Sequence, residues 1–249
     1  MKTKKTKSRR ILIICSAVVG TLALSAAAFF IYTSIYYKAE EDATALIEQE
    51  QVAVKEEKNW YALSTEEGEQ TKVGLVFYPG AKVDSYAYAP MLATMAKQAT
   101  IFDCKMPFHL AFFDMNMGND VISAHPEIYT WYIMGHSLGG ATMGAYLRKN
   151  ADKYAGAIFL ASYSTKDLTS SMLKVLVIHG SNDKVLNYKN FDKNAGNLPS
   201  DTIFVTIEGG NHGQFGDYGF QKGDGEATIS KQEQWAITAK DVAILIGTK

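Results

Sequence analysis

The 249-residue sequence contains only two cysteines, and these two cannot support the fold by pairing with each other. Cys15 lies within an apolar segment near the amino end, whereas Cys104 lies far along the rest of the chain. A disulfide needs two cysteines whose Cα atoms lie within about 7 Å of each other. The fold must therefore stand without a disulfide. Lipid attachment at Cys15 is not expected either, because Ile11–Ile14 stands where a lipoprotein signal peptidase requires small residues.

No acidic residue occurs before Glu40, and the amino end is strongly basic. Removing the six basic charges of the first ten positions from the formal net charge of −1 leaves about −7 for the remainder. Such an acidic balance repels phosphate backbones, so nucleic acid is not an expected partner. The six basic residues are Lys2, Lys4, Lys5, Lys7, Arg9 and Arg10.

No charged residue occurs from Ile11 to Tyr37. A helix of this length extends roughly 40 Å, which exceeds the hydrocarbon core of a bilayer at about 30 Å. The sequence therefore predicts a cytoplasmic basic tail over 1–10 and one transmembrane signal-anchor over 11–37. Because basic flanks stay in the cytoplasm, the remainder is expected outside the cytoplasm, held at the cell membrane by a single pass.

A cleaved signal peptide is the alternative interpretation of this amino end. The basic start leads into an apolar run that contains the small residues Ser25–Ala28, which suit a cleavage site. The apolar character continues well past that point, from Phe29 to Tyr37, and this favours an anchor. Either interpretation exports the bulk of the chain.

Residues 38–70 are rich in Glu, Lys, Gln and Ala, and a helical spacing of apolar residues predicts a charged stalk. From residue 71 to 249 the pattern changes to that of one α/β domain. Segments of helical character at 90–98, 138–149 and 231–246 separate short apolar runs. Their alternation predicts a mostly parallel sheet with helices on both faces. The runs that predict buried strands are 73–78, 100–104, 130–134, 157–161, 175–178 and 203–207.

The clearest chemical signal is a glycine-rich turn between the third predicted strand and a helix. It reads Gly135-His136-Ser137-Leu138-Gly139. Gly-x-Ser-x-Gly in this setting predicts a nucleophile elbow, a strained turn that exposes the serine hydroxyl at the amino end of the helix. The plainer alternative is a glycine turn in which the serine only caps the helix.

A serine nucleophile needs a histidine base and an acid that orients it, in the chain order serine, acid, histidine. Asp183 follows the predicted strand 175–178, and His212 follows the predicted strand 203–207. His212 is the one histidine of five that comes after Asp183. An ordinary turn at Asn182-Asp183 is the alternative for the acid.

An oxyanion hole needs two backbone N–H groups, one of them from the residue after the nucleophile, which here is Leu138. Tyr78-Pro79-Gly80 follows the first predicted strand, and its glycine lets the chain turn so that the Ala81 N–H faces the site. A simple Pro-Gly turn is the alternative.

Three segments together resemble the α/β-hydrolase superfamily, namely the elbow, the loop Phe77–Gly80 and the histidine loop Glu208–Gly219. The resemblance runs from about Val73 to Ile246 and is nearest to the fold-5 branch of exported hydrolases related to dienelactone hydrolase. Dienelactone hydrolase carries a cysteine in the elbow, where this chain has a serine. The resemblance implies the α/β-hydrolase fold, the triad Ser137, Asp183 and His212, and an oxyanion hole made by the N–H groups of Ala81 and Leu138.

These residues predict a serine hydrolase, most simply a carboxylesterase that forms an acyl-enzyme on Ser137. The expected partners are a small-molecule ester and the membrane, and no metal or organic cofactor is expected. Amidase, thioesterase and acyltransferase activities remain open, and the sequence does not fix the oligomeric state. The alternative from another class is a surface binding module that has the fold without catalysis.

Three further segments surround the predicted site. Only about a dozen residues lie between Ala161 and Lys174, where the superfamily commonly inserts a helical lid. We therefore expect no large lid, and a site that is open to short or exposed esters. Met106–Phe113 is expected to form helix core, with a pocket wall as the alternative. Gly213–Gly225 either shapes the pocket mouth or forms a rigid loop around His212.

Overall fold

The computed structural model describes residues 2–247, with side chains described from residue 14 onward. The chain divides into two compact units, one up to Tyr36 and one from Tyr37 onward. The first unit contains a single helix, α1 (Lys2–Ser34), which ends before the predicted limit at Tyr37. The six basic side chains of the predicted tail lie outside the described side chains.

Helix α1 is the one candidate membrane span in the described part of the chain. Its segment Ile14–Ser34 has 21 residues and a mean hydropathy of 2.2, which is long and apolar enough to cross a bilayer. The same length and composition suit a membrane anchor and a signal sequence.

The second unit contains one eight-stranded sheet with the strand order β1-β2-β4-β3-β5-β6-β7-β8. Strands β1 and β2 run antiparallel to their neighbours, and β3 to β8 are parallel to one another. The strands are β1 (Ala53–Glu56), β2 (Trp60–Ser64), β3 (Val73–Tyr78), β4 (Thr100–Cys104), β5 (Thr130–His136), β6 (Gly156–Leu160), β7 (Lys174–Gly180) and β8 (Ile203–Ile207).

Helices cover both faces of this sheet, as predicted. Side chains from α2, α4 and α8 pack on one face, and side chains from α5, α6 and α7 pack on the other. The helices are α2 (Ala43–Gln49), α3 (Glu66–Thr71), α4 (Ala89–Ala93), α5 (Met117–Ala124), α6 (Leu138–Leu147), α7 (Tyr188–Ala195) and α8 (Lys231–Ile246), with 3₁₀ turns at Ser85–Tyr88, Pro107–His109, Ala111–Asp114, Ala151–Lys153 and Gly213–Phe215.

All six predicted strands are present, with ends that shift by two residues or fewer. Central strands of a parallel sheet are covered on both faces, so their sequences are continuous apolar runs that are easy to recognise. In β5, for example, every residue from Trp131 to His136 is buried. The carboxyl ends of these parallel strands all meet at one edge of the sheet, which is where ligands bind in open α/β sheets.

The predicted stalk over 38–70 is wrong, because these residues belong to the domain. Strand β2 pairs with β4, and β1 pairs with β2 at the edge of the sheet. Ala43 and Ile47 on α2 are buried against the core. The edge strand β1 exposes charged side chains, which protect a sheet edge from pairing with other chains. Its composition therefore resembles that of a solvated spacer.

Candidate active site

Ser137 lies on a sharp turn between β5 and α6, at the carboxyl edge of the sheet. Its backbone has φ 52° and ψ −120°, a conformation that residues with a side chain rarely adopt. The residue is half-buried, and its hydroxyl makes no hydrogen bond to the described part of the chain. The turn therefore presents the hydroxyl at the start of α6 under backbone strain.

Glycines at either side of Ser137 make this turn sterically feasible. A Cβ on Gly139 would lie 2.1 Å from the Tyr78 carbonyl oxygen, and a Cβ on Gly135 would lie 2.7 Å from the Gly140 Cα. Real Cβ contacts are longer than either distance, so only glycine fits at both positions. The start of α6 can thus pack directly against the loop that follows β3.

Asp183 and His212 meet at the same edge, on the loops after β7 and β8. The Asp183 Oδ2 atom lies 2.8 Å from His212 Nδ1, and both side chains are buried. The other carboxylate oxygen, Oδ1, accepts hydrogen bonds from the N–H groups of Val185 and Leu186, each at 2.8 Å. The carboxylate is therefore held on both sides, and one side faces the imidazole.

The His212 loop is held by two side chains that sequence reasoning missed. Gln234, fully buried on α8, accepts from the Asn211 N–H at 3.0 Å and donates to the Asn211 carbonyl oxygen at 2.9 Å. Asp224 accepts from the Gly213 N–H at 2.8 Å and from the Lys184 N–H at 3.2 Å. These bonds tie the two loops to each other and to α8. No local sequence signal distinguishes this glutamine from other polar residues of a helix.

His136, directly before Ser137, is also part of the site, although the sequence offers only an ordinary packed histidine there. Its ring centroid lies 4.6 Å from that of His212. Its Nδ1 atom lies 2.8 Å from the Tyr88 hydroxyl oxygen. Burial lowers the pKa of His136 well below its ordinary value, so this ring is neutral near pH 7. The contact between the two rings brings His212 against the elbow.

The two N–H groups predicted for an oxyanion hole lie on adjoining segments. Leu138 begins α6, whose second residue packs against the carbonyl oxygen of Tyr78. Ala81 follows two residues after Pro79 on the same loop. The N–H groups of Ala81 and Leu138 donate to no acceptor in the described residues. Both remain available to a bound oxygen atom.

The prediction that Met106–Phe113 forms helix core is wrong for its phenylalanines, although Met106 and Ala111 are buried in the core. The segment consists of 3₁₀ turns, and its phenylalanines are exposed, with Phe112 retaining 47% of its accessible surface. Its backbone is joined to the loop after β3, because the Lys82 N–H donates to the His109 carbonyl oxygen at 2.8 Å. The exposed aromatic rings thus belong to the same edge of the sheet as Ser137.

The Gly213–Gly225 stretch is mainly a brace around His212. Phe215 and Tyr218 are buried in the core, while Phe220 is exposed.

Residues 161–173, between β6 and β7, contain no helix, so no helical lid is inserted there. Among the described side chains, no group of three His, Cys, Asp or Glu residues is placed to hold a metal ion.

Comparison with solved structures places this architecture among known hydrolases. The chain is similar to a monoacylglycerol lipase of Paleococcus ferrophilus, with a TM-score of 0.57, 12% identity and coverage of 80% of this chain and 99% of that one. It is also similar to carboxylesterase CesB of Bacillus subtilis, with a TM-score of 0.54, 11% identity and coverage of 83% and 98%. At such identities the likeness concerns the fold.

A third similar structure is the esterase Rv0045c of Mycobacterium tuberculosis, with a TM-score of 0.57, 8% identity and coverage of 81% of this chain and 96% of that one. No curated protein matches the sequence. The sequence profile of the alpha/beta hydrolase family matches residues 74–236, a span that contains the elbow and both loops that follow β7 and β8. The chain belongs to the alpha/beta hydrolase family.

Proposed function

We propose that this protein is a membrane-anchored serine hydrolase, a carboxylesterase in which Ser137, Asp183 and His212 form the catalytic triad. The observation that carries the proposal is the buried hydrogen bond of 2.8 Å between Asp183 Oδ2 and His212 Nδ1, adjacent to the strained serine turn. A carboxylate at Nδ1 accepts a hydrogen bond from the N–H group of that nitrogen, so the lone pair is at Nε2. The Nε2 atom is buried and has no partner among the described residues.

The proposed reaction begins when His212 Nε2 accepts the proton of the Ser137 hydroxyl. The serine oxygen attacks the ester carbonyl carbon, and His212 then donates the proton to the departing alcohol oxygen. Water then gives a proton to the same nitrogen and its oxygen attacks the acyl carbon. The bond from that carbon to the Ser137 oxygen breaks, His212 returns the proton to the serine oxygen, and the acid is released. The serine and histidine are not hydrogen-bonded to each other in the free protein, and such catalytic hydrogen bonds often tighten only when substrate binds.

Negative charge that develops on the carbonyl oxygen needs donors that are already in place. The N–H groups of Ala81 and Leu138 are assigned to this role, because both are unpaired and lie on segments that pack together. Each donor of this kind is worth on the order of 10²-fold or more in kcat. The start of α6 adds the positive end of its helix dipole.

The substrate class follows from the open edge of the sheet. No helix between β6 and β7 covers this edge, which favours short or externally presented esters over long acyl chains. Helix α1 is assigned as a single membrane anchor, and the basic amino end is assigned to the cytoplasm, which puts the hydrolase unit outside it.

Labelling of the full chain in detergent with a fluorophosphonate probe tests the proposal. The probe reacts covalently with an activated serine, so the parent should label and Ser137→Ala should not. Ser200→Ala is the matched control, since Ser200 is exposed and precedes β8, at the edge of the sheet opposite to the three proposed residues. Turnover of p-nitrophenyl butyrate should be faster than turnover of p-nitrophenyl palmitate.

A folded parent that does not label would reject the catalytic proposal and favour a binding module on the hydrolase fold. Labelling that persists in Ser137→Ala would show that a residue other than Ser137 is the nucleophile. Labelling without ester hydrolysis would direct attention to amides, thioesters or a second acyl acceptor. Faster turnover of the palmitate ester would contradict the inference from the open site.

A further inference from the structure

Tyr88 lies where three loops of the candidate site meet. It ends the 3₁₀ turn Ser85–Tyr88, and its side chain is completely buried. Its ring packs on Phe77 of β3, with centroids 4.9 Å apart. A fully buried phenol needs hydrogen-bond partners for its hydroxyl, because an unpaired buried hydroxyl costs about 1–3 kcal/mol.

The Tyr88 hydroxyl finds these partners on two of the loops. The Gly80 N–H, on the loop after β3, donates to the Tyr88 oxygen at 3.1 Å. His136, on the elbow, places its Nδ1 atom 2.8 Å from the same oxygen. A Cβ on Gly80 would lie 2.7 Å from this hydroxyl, so the backbone approaches it as closely as glycine allows.

The third loop is the one that carries His212. The Asp217 N–H donates to the carbonyl oxygen of Ala87, the residue before Tyr88, at 2.6 Å. The rings of Tyr88 and Tyr218 lie 6.0 Å apart in an edge-to-face arrangement. Tyr88 therefore contacts the loops that hold Ala81, Ser137 and His212, although it follows none of the predicted strands directly.

We propose that Tyr88 is a positioning residue whose hydroxyl sets the oxyanion loop relative to the elbow and the base. The proposal rests on the proposed function. The hydroxyl fixes the Gly80 N–H, and the peptide that follows carries the Ala81 N–H assigned to the oxyanion hole. Through Nδ1 it also fixes the His136 ring that lies against His212.

Such positioning affects the transition state more than the bound ester. An oxyanion donor acts only when it is directed at the place where charge develops, and it has little effect on the uncharged ground state. A shift of the Gly80–Ala81 peptide should therefore lower kcat and leave KM nearly unchanged. A role in stability alone would leave both constants unchanged.

Tyr88→Phe in the full chain tests this, because it removes the hydroxyl and keeps the ring. We expect kcat for p-nitrophenyl butyrate to fall about 10- to 100-fold, with KM changed less than about threefold. A boronic acid inhibitor forms a tetrahedral anion on the serine, so its affinity should fall by a similar factor. The matched control is Tyr154→Phe, which removes a buried hydroxyl bonded to Tyr146 on the other face of the sheet, and it should retain parental kinetics.

A Tyr88→Phe variant with parental kcat and parental boronic acid affinity would overturn the proposal, and so would losses matched by Tyr154→Phe. If Tyr88→Phe does not fold, His136→Asn and His136→Leu decide instead. Asparagine keeps a partner for the Tyr88 hydroxyl and leucine does not, so kcat of His136→Asn should exceed that of His136→Leu by about tenfold or more. Equal losses in the two variants would contradict the proposal. If the parent is labelled by the fluorophosphonate probe but the Tyr88 variant behaves like the parent, only the role of Tyr88 is rejected. If the parent is not labelled, the proposed function itself is rejected.

Discussion

Asp183→Asn is expected to abolish most of the activity and leave the fold intact. The reason lies in the separate partners of the two carboxylate oxygens. Oδ1 accepts from the N–H groups of Val185 and Leu186, and an asparagine amide oxygen in the same place still accepts both bonds. The amide nitrogen then occupies the position of Oδ2, opposite His212 Nδ1.

The magnitude follows from the tautomer that His212 must adopt. An amide NH₂ group donates, so the imidazole accepts at Nδ1 and carries its proton on Nε2, where it cannot take the proton of Ser137. Loss of the correct tautomer in a serine triad costs about 10⁴-fold in kcat. That factor corresponds to about 5.4 kcal/mol of transition-state stabilisation.

The assay is p-nitrophenyl butyrate hydrolysis by the full chain in detergent, together with thermal unfolding of each variant. Asp183→Asn should melt close to the parent. Asp183→Ala should melt lower, because the N–H groups of Val185 and Leu186 lose their acceptor, and the buried one at Leu186 alone costs about 1–3 kcal/mol. The two variants should be similarly inactive. Asp183→Asn activity within tenfold of the parent would refute the assignment of this carboxylate as the partner of the catalytic histidine.

Three further predictions concern the interior around the site. Gly139→Ala should cost about 1–3 kcal/mol of stability and abolish fluorophosphonate labelling, because the alanine Cβ would lie 2.1 Å from the Tyr78 carbonyl oxygen. Gly196→Ala is the control, since an alanine Cβ there would have no atom within 4 Å. Asp103→Asn should raise the melting temperature at pH 8 and change it little at pH 4. Burial raises the pKa of Asp103 above its ordinary value of 3.8, so the aspartate lowers the stability of the protein only at pH values above about 3.8. An equal effect at both pH values would contradict this. Burial holds the pKa of His136 below 6.5, so the free energy of unfolding should fall by up to about 1.4 kcal/mol for each pH unit below pH 6.5. Denaturant unfolding of His136→Asn should show a smaller dependence on pH in this range. Identical pH dependence in the parent and the variant would refute the prediction.

Much of the fold follows from local patterns in the sequence. The strands β3 to β7 are apolar runs because each is covered on both faces, and such runs are visible without knowledge of their neighbours. Strand β8 lies at an edge and is partly exposed, yet its sequence is an equally apolar run. The end of α8 is equally local, since Gly247 takes the left-handed conformation that stops a helix. The edge strand β1 carries no such signal, because its charged and exposed residues have the composition of a solvated linker.

The candidate site divides in the same way. By itself the sequence determined the serine turn, since Gly135 and Gly139 mark a strand-to-helix turn that only glycines permit, and it determined the order of the acid and the histidine along the chain. Only the tertiary structure brought Asp183 to 2.8 Å from His212, and only it placed Tyr88 and Gln234 among the loops. Strand order and helix packing decide such contacts between residues far apart in the chain, and no local spacing of residue types encodes them.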